Sequence, residues 1–313
     1  MTTTSQGPTA NAVGPVGVPP DPEHPAGPDV PVPTAGPGTR YAATALVLAL
    51  SLAVGFFAGR AGGPTGGAAR PAAAVTGGHA GHGPGGLEVS RDGWTLTLHT
   101  STLTVGEPNE LAFQITDQTG VVLTAFQENH ERRMHLILVG RDLSGYQHLH
   151  PEMSPDGTWR VRVTPSAPGP LRVIADFWPL GAQAGVTLGA DVPVPGRYAV
   201  RPLDPPEETV LVDDYTVTLD GGLRAGESHQ VLVWLGRLGQ PVNDLQPHLG
   251  AYGHLVALRQ GDLAYLHVHP AAASQASSVV AFGITVPSTG TYRLFFEFRH
   301  LDEVRVAAFT VVV

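Results

Sequence analysis

The chain has 313 residues, with no cysteine, no lysine, 14 histidines and a formal net charge of −9. The missing thiols exclude disulfides, thiolate zinc sites, iron–sulfur clusters and a cysteine nucleophile. The missing lysine excludes a P-loop and Schiff-base chemistry. Any bound metal must therefore be held by imidazole, carboxylate or thioether groups.

One apolar segment divides the first 86 residues. Residues 1–40 and 60–86 are rich in Gly and Pro. We predict that both are disordered, because such a composition buries too little apolar surface to offset chain entropy. Residues 41–59 between them carry no charge and are flanked by Arg40 and Arg60. This pattern predicts a single transmembrane helix, and a cleaved signal peptide is the competing interpretation.

The position of the acidic residues bears on partners and location. The whole acidic excess lies in residues 87–313, which argues against nucleic acid as a partner. A short tail, an apolar segment and folded β-domains form the layout of a signal anchor, although the arginines near the segment do not favour it. We expect a single-pass protein of the cell membrane with its C-terminal domains extracytoplasmic. Any protein partner stays unidentified.

From Leu87 onward, short strands follow one another without an amphipathic helix. The strands predicted in the first half are 94–99, 110–116, 134–140, 158–164 and 170–177, and those in the second half are 216–220, 230–236, 254–259, 279–286, 291–298 and 304–313. Many short strands without helices predict an all-β sandwich or barrel.

The second half of the strand-rich region repeats the first. The 17 residues from His135 to Pro151 align without a gap on those from His254 to Pro270, and six are identical. We therefore predict two tandem β-sandwich domains, 87–196 (repeat 1) and 207–313 (repeat 2). The Pro-rich linker 197–206 joins them.

Histidines recur at the same spacing in both repeats. One histidine opens a strand, and a His-x-His pair begins 13 residues later. Strand alternation places both histidines of the pair on one face, and a hairpin brings the first histidine near them. A carboxylate from a later strand can complete each set. The predicted metal ligands are His135, His148, His150 and Asp176 in repeat 1, and His254, His267, His269 and Glu297 in repeat 2.

Three imidazoles and a carboxylate suit Cu(II) or Zn(II), and an extracytoplasmic position favours copper. The alternative is a structural or interaction module at the cell surface, in which the histidines tie β-hairpins together through hydrogen bonds. Met134 and Met153 flank the first set, either as thioether ligands or as core residues. His248 is near enough in sequence to His254 to be a peripheral ligand, whereas His130 precedes His135 at a different spacing.

Motifs of catalysis are missing. A cupin would need a carboxylate four residues after the second histidine of each pair, and Ser154 and Ala273 occupy those positions. The chain also has no G-x-S-x-G and no H-E-x-x-H. We predict a binding protein and not an enzyme.

The strings MHLILVGRDLSGYQHLHP and LGAYGHLVALRQGDLAYLHVHP resemble a family of mainly actinobacterial, secreted or membrane-anchored proteins. Its members carry paired HL…HLHP β-domains and are associated with heavy metals. The resemblance covers residues 93–313 and implies immunoglobulin-like sandwiches with a link to copper handling. The chain is also similar in outline to periplasmic copper-resistance β-sandwich proteins, but it lacks their Met-rich Cu(I) segment.

Overall fold

The computed structural model describes residues 84–271 and 275–313, without the side chains of His267 and His269. The chain divides into a unit of residues 1–73, none of which is described, and a unit of residues 74–313. The predicted tail 1–40, the apolar segment 41–59 and most of the linker 60–86 therefore lie outside the described residues. Within the described part, no helix is long and apolar enough to cross a membrane.

Repeat 1 folds into two antiparallel sheets around one apolar core. Its strands are β1 (Ser90–Arg91), β2 (Trp94–Leu98), β3 (Asn109–Asp117), β4 (Phe126–Gln127), β5 (Met134–Gly140), β6 (Gln147–Leu149), β7 (Glu152–Met153), β8 (Trp159–Val163), β9 (Gly169–Pro179) and β10 (Val186–Val194). One sheet has the order β1-β2-β3-β8-β7 and the other has the order β10-β9-β5-β6, with β4 also pairing β9.

Repeat 2 has the same design around a second core. Its strands are β11 (Thr209–Val212), β12 (Tyr215–Asp220), β13 (Ser228–Arg237), β14 (Gln240–Pro241), β15 (His254–Arg259), β16 (Tyr265–His267), β17 (His269–Pro270), β18 (Val279–Thr285), β19 (Thr291–His300) and β20 (Glu303–Val312). The sheet orders are β11-β12-β13-β18-β17, with β14 pairing β13, and β16-β15-β19-β20.

Both strand orders are those of an immunoglobulin-like sandwich, in which strands A, B, E and D form one sheet and C, F and G form the other. In repeat 1, β2-β3-β8-β7 are A, B, E and D, and β5, β9 and β10 are C, F and G. In repeat 2, β12-β13-β18-β17 and then β15, β19 and β20 take the same places. The hydroxyl of Tyr292, near the start of β19, donates to the Ser288 carbonyl at 2.9 Å, as a tyrosine corner does. The predicted all-β tandem sandwich is confirmed.

The sheet containing C, F and G is called the CFG sheet below, and its central strands are buried on both faces in each repeat. In β5, Leu136 and Leu138 belong to the core of repeat 1, whereas Ile137 and Val139 belong to a cluster shared by the two repeats. All seven residues of β5 are buried. Burial on both faces explains why this strand reads as a continuous apolar run and not as an alternating one.

The shared cluster, called the inter-repeat cluster, packs the two CFG sheets face to face. Tyr146, at its margin, stacks on Phe295 of repeat 2 with ring centroids 4.0 Å apart and planes 6° apart. Leu203 of the linker also packs against it. The buried members are Ile137, Val139, Leu143 and Ile174 of repeat 1, with Val256, Leu258, Leu263, Tyr265 and Phe295 of repeat 2.

The segment just before repeat 1 also connects the two repeats. Gly85 exchanges both backbone hydrogen bonds with Tyr265 of repeat 2, at 3.1 and 3.0 Å. The next residue, Gly86, donates its N–H to the Thr187 carbonyl of repeat 1 at 3.0 Å. A Cβ on Gly85 would lie 2.6 Å from the Cβ of Thr187, so only glycine fits there. The segment thus forms an isolated β-bridge to repeat 2 and a backbone hydrogen bond to repeat 1.

We expect Phe295→Ala to lower the free energy of unfolding by about 3–4 kcal/mol, because the change leaves a cavity in the inter-repeat cluster. Phe295 is 4% exposed. Denaturant unfolding of the variant checks this. Trp234→Ala is the matched control, since Trp234 is 45% exposed and its loss should cost less than about 1 kcal/mol. A loss below 1 kcal/mol for Phe295→Ala would show that the repeats do not depend on this packing.

Candidate metal centre

The register of the CFG sheets places the first predicted histidine of each repeat beside the predicted carboxylate. His135 on β5 lies opposite Asp176 on β9. His254 on β15 lies opposite Glu297 on β19. Directly paired residues of antiparallel strands share one face of the sheet. All four residues are buried, and the face they share is the one between the repeats.

The hairpin from β5 to β6 brings the three histidines of repeat 1 together, as predicted. His148 lies on β6 opposite Ile137, and His150 follows one residue after β6. One ring nitrogen from each of His135, His148 and His150 lies within 4.8 Å of the other two. The ring centroids are 5.3, 5.1 and 4.8 Å apart. Three imidazoles on one tetrahedral metal, with bonds of about 2.0–2.1 Å, have centroids about 5 Å apart.

Hydrogen-bond partners determine which nitrogen of each ring faces the centre. His135 Nε2 lies 2.9 Å from the Asn129 carbonyl, which can only accept, so Nε2 carries the hydrogen. His148 Nδ1 lies 3.1 and 3.0 Å from the two carboxylate oxygens of Glu297, so Nδ1 carries the hydrogen there. The remaining nitrogens, His135 Nδ1 and His148 Nε2, face each other at 3.1 Å.

In the neutral rings these facing nitrogens both carry lone pairs, which repel one another. A cation between them, either a proton or a metal ion, turns the repulsion into attraction. Two nitrogens bound to one tetrahedral metal lie about 3.3 Å apart. The pair therefore has the spacing and polarity of two ligands of one cation.

His150 supplies the third nitrogen. Its Nε2 is buried and has no hydrogen-bond partner among the described residues. Such an atom costs about 1–3 kcal/mol unless something satisfies it. Burial, together with the nearby rings of His148 and His135, lowers the pKa of His150 to about 3. The ring is therefore neutral near pH 7 and able to ligate a metal.

Glu297 belongs to repeat 2 but accepts hydrogen bonds from residues of repeat 1. The hydroxyl of Tyr146 donates to Glu297 Oε1 at 2.7 Å, in addition to the bond from His148. Burial alone would raise the pKa of Glu297. The charge of His148 and the hydrogen bonds from His148 and Tyr146 outweigh burial, so the pKa lies below its usual value. The carboxylate is therefore ionised and completes a carboxylate–histidine pair of the kind that orients metal ligands.

Asp176 shows the reciprocal arrangement. Its Oδ2 accepts from the hydroxyl of Tyr265 in repeat 2 at 3.3 Å, and its Oδ1 accepts from Thr187 at 2.8 Å. Burial and the charge of Asp176 raise the pKa of Tyr265 well above 10. The sequence assigned each carboxylate to the ligand set of its own repeat, and the structure adds a contact of each carboxylate with the other repeat. The physical reason is that the outward face of each CFG sheet is covered by the other repeat.

For the two remaining predicted ligands, His267 and His269, the structure describes the backbone position. His267 lies on β16 opposite Val256, as His148 lies opposite Ile137 in repeat 1. His269 lies on β17 opposite Gly283. His79 and His82, predicted to lie in a flexible tether, are outside the described residues.

Two further histidines, His130 and His248, lie close to the first histidines of the two repeats. They belong to turns at equivalent positions of repeat 1 and repeat 2. In repeat 1 the turn is 129–132, in which His130 and Glu131 both have positive φ, and in repeat 2 it is 248–251. The first residue of each turn accepts a hydrogen bond from the first histidine, Asn129 from His135 and His248 from His254. The His130 ring lies 6.2 Å from that of His135 and 5.7 Å from that of His254.

The sequence comparison did not match these turns, because His130 and His248 precede His135 and His254 by different numbers of residues. His130 is the second residue of its four-residue turn, whereas His248 is the first residue of the equivalent turn in repeat 2. Extending the ungapped alignment of the repeats six residues upstream would have matched Asn129 with His248. Burial lowers the pKa values of His248 and His254. The rings of His248 and His254 are therefore neutral near pH 7.

Met134 and Met153, which flank the histidines in sequence, are core residues of repeat 1. Met134 is buried in the core of repeat 1, and Met153 packs against the same core. The adjacent His135 points to the opposite face of β5, toward repeat 2. Packing therefore accounts for both thioethers, and the three imidazoles define the centre.

Solved structures resemble this chain only weakly. The Escherichia coli adhesin FdeC is 15% identical with a TM-score of 0.23, and the match covers 72% of this chain and 64% of the adhesin, less than two thirds of its length. Domains 4 and 5 of the S-layer protein SbsC are 14% identical with a TM-score of 0.22, covering 72% of this chain and 98% of theirs. A marsupial T cell receptor is 12% identical with a TM-score of 0.20, covering 69% and 94%. These values are too low to support an inference about this chain.

No curated protein matches the chain in sequence. The model of a family described as a domain of unknown function, DUF8832, matches residues 88–198 and again residues 208–313. The two matched segments correspond to the two sandwiches and together cover more than half of the chain. The protein therefore belongs to the DUF8832 family and carries two tandem copies of its domain.

Proposed function

We propose that this protein is a membrane-anchored, extracytoplasmic metal-binding protein that handles copper, with zinc as the second choice. The observation that supports metal binding best is the pair of facing nitrogens of His135 and His148. Their tautomers are set by Asn129 and Glu297, and only a cation, either a proton or a metal ion, makes their 3.1 Å contact favourable. His150 adds a third ring nitrogen to the cluster, and its Nε2 is otherwise unsatisfied among the described residues.

The choice of metal follows from the donor set. Three imidazole nitrogens suit Cu(II) and Zn(II), whereas Cu(I) favours thiolate or thioether donors. The chain has no cysteine, and its methionines near the centre pack into the core. Three protein ligands leave a fourth position open, which suits reversible binding and transfer. Cu(II) is the stable aqueous form of copper outside the cell, so an extracytoplasmic location favours copper.

Repeat 2 supplies the second proposed centre. His254, His267 and His269 repeat the residue types and the spacing of the first triplet. His254 also repeats the outer hydrogen bond of His135, since its Nε2 lies 2.8 Å from the His248 carbonyl. Two metal ions per chain are therefore proposed, one for each repeat.

The second candidate function is a non-catalytic interaction module at the cell surface. One observation favours it: His135 and His254 each hold a turn through a backbone carbonyl, which is a structural task. Under this interpretation the histidines and Glu297 only fasten the two repeats together. It predicts no metal affinity, so the titration below separates the two functions.

Titration calorimetry of fragment 84–313 with Cu(II) and Zn(II) tests the proposal. We expect two ions per chain, with Kd below about 10 μM for copper, equivalent to more than about 7 kcal/mol. His148→Ala should remove one ion, and His148→Ala with His267→Ala should remove both. The fragment omits His79 and His82, so the tether does not contribute.

His99→Ala is the control for this titration, because His99 is exposed and directly follows β2, which belongs to the other sheet of repeat 1. It should leave stoichiometry and affinity unchanged. The proposal of metal binding would be rejected, and the interaction module favoured, by either of two results. One is no binding tighter than about 10 μM, and the other is binding that the double substitution does not change.

His150→Leu separates a ligand from a structural histidine. In metal-free protein we expect the change to leave the free energy of unfolding unaltered or to raise it by about 1–2 kcal/mol, because it removes an unsatisfied buried nitrogen. The same variant should lose the stabilisation of about 2.7 kcal/mol that copper at 100 times Kd gives the wild type through the repeat 1 centre, and should keep that of the repeat 2 centre. Denaturant unfolding with and without copper measures both.

His135→Leu is the matched comparison, because it also deletes an imidazole but breaks a hydrogen bond to Asn129. It should destabilise the metal-free protein by about 1–3 kcal/mol. Equal destabilisation by both variants without metal would favour a structural role for His150.

The anchor proposal rests on residues 41–59 and is tested by fractionation. The full-length chain should sediment with membranes and resist alkaline carbonate, because about 19 apolar residues approach the length of a bilayer-spanning helix. Protease added outside intact cells should digest the repeats. Release into the medium of a chain that begins after residue 59 would instead show a cleaved signal peptide.

A further inference from the structure

The carboxylate beside the centre of repeat 1 comes from repeat 2. Glu297 lies on β19, its side chain is 5% exposed, and it accepts from both Tyr146 and His148. Tyr146 is held in place for this by its stacking on Phe295, two residues before Glu297 on the same face of β19. Three contacts thus join one small area of repeat 2 to the histidine hairpin of repeat 1.

The opposite contact is made at the equivalent place. Tyr265 corresponds to Tyr146 in the repeat alignment, and Asp176 corresponds to Glu297. Asp176 of repeat 1 accepts from the hydroxyl of Tyr265 in repeat 2. Each repeat therefore offers its carboxylate to a tyrosine that precedes the His-x-His pair of the other repeat by two residues.

We propose, on the basis of the function proposed above, that the two repeats exchange carboxylates to complete one another's metal centres. Glu297 is a positioning residue of the repeat 1 centre, and Asp176 is a positioning residue of the repeat 2 centre. Neither centre reaches full affinity unless the repeats are docked. The tandem pair is the functional unit, and metal binding and docking reinforce one another.

The physical chemistry of the His148–Glu297 bond supports this role. A carboxylate that accepts the Nδ1–H of an imidazole fixes the ring and makes its Nε2 a stronger ligand. The bond is buried, so water screens it little. In an undocked repeat 1 the same Nδ1–H would face water, and the ring would be free to turn. Because binding free energies are linked, a metal ion that prefers the docked form must also stabilise docking.

The geometry distinguishes this role from direct ligation by Glu297. Both carboxylate oxygens lie 3.0–3.1 Å from Nδ1 of His148, whereas the nitrogen that faces His135 is Nε2. Nδ1 and Nε2 lie on opposite sides of the imidazole ring. The carboxylate therefore lies behind the ring and not at the point where the three ring nitrogens converge.

The experiment measures copper affinity in the full-length chain with His79→Ala, His82→Ala, His267→Ala and His269→Ala, so that neither the tether nor repeat 2 binds copper and only the repeat 1 centre does. Adding Glu297→Gln should weaken copper binding about 10–100-fold at unchanged stoichiometry, the usual effect of losing an outer carboxylate partner. Glu297→Asp should recover part of the loss. Tyr146→Phe, which keeps the His148–Glu297 bond, should cost less than Glu297→Gln and is available if that variant fails to fold.

Electron paramagnetic resonance of the bound Cu(II) supplies a readout that a merely structural role would not move. The hyperfine splitting should change with Glu297→Gln because the ligand strength of His148 changes, while the number of coupled nitrogens stays the same. Glu303→Gln is the matched control, since Glu303 is exposed and pairs with Arg305 in the β19–β20 hairpin. It should alter neither affinity nor spectrum.

The reciprocal arm uses His79→Ala, His82→Ala, His148→Ala and His150→Ala to leave only the repeat 2 centre. There Asp176→Asn should weaken binding about 10–100-fold. Less than a twofold effect of Glu297→Gln, with binding still abolished by His148→Ala, would overturn the exchange and leave the proposed function standing. Binding that survives His148→Ala in the chain that also lacks His79, His82, His267 and His269 would overturn the proposed function itself.

Discussion

Face-to-face packing of the two CFG sheets is the constraint on which the rest of the structure depends. Each sheet already covers one sandwich core, so its outer face would lie in water if the repeats were separate. Packing the faces together makes β5, β9, β15 and β19 central layers that are buried on both sides. Every predicted ligand on these strands is thereby removed from solvent, and its polar atoms must find partners within the interface.

In the interface, the buried polar groups are paired with one another at the margin of the apolar inter-repeat cluster. Burying histidines and carboxylates is costly when they are isolated, and the cost falls when each is hydrogen-bonded. Tyrosines 146 and 265 satisfy the carboxylates from the opposite repeat, and turn carbonyls satisfy the first histidines. His150 Nε2 is left without a partner among the described residues. Proteins tolerate such a cost mainly at sites of function.

Much of the fold could be predicted from the pattern of residues along the chain. All eleven predicted strands occur, and the alignment of His135–Pro151 with His254–Pro270 correctly indicated two copies of one domain. The strand Val186–Val194 was missed because Gly189 and Pro193 interrupt its pattern. It is an edge strand, where a residue without an N–H is tolerated because one side of the ladder is unpaired.

The sequence by itself determined which histidines converge in repeat 1, because strand alternation and a hairpin are local properties that need only neighbouring residues. It also indicated that a carboxylate would lie beside each first histidine, since His135–Asp176 and His254–Glu297 are cross-strand pairs. Only the tertiary structure decided that Glu297 serves His148 and that Asp176 meets Tyr265. Those contacts join residues about 150 and 90 positions apart, at a separation where no local periodicity operates. They depend on which faces are buried against each other, and an apolar run such as β5 does not reveal what covers its second face.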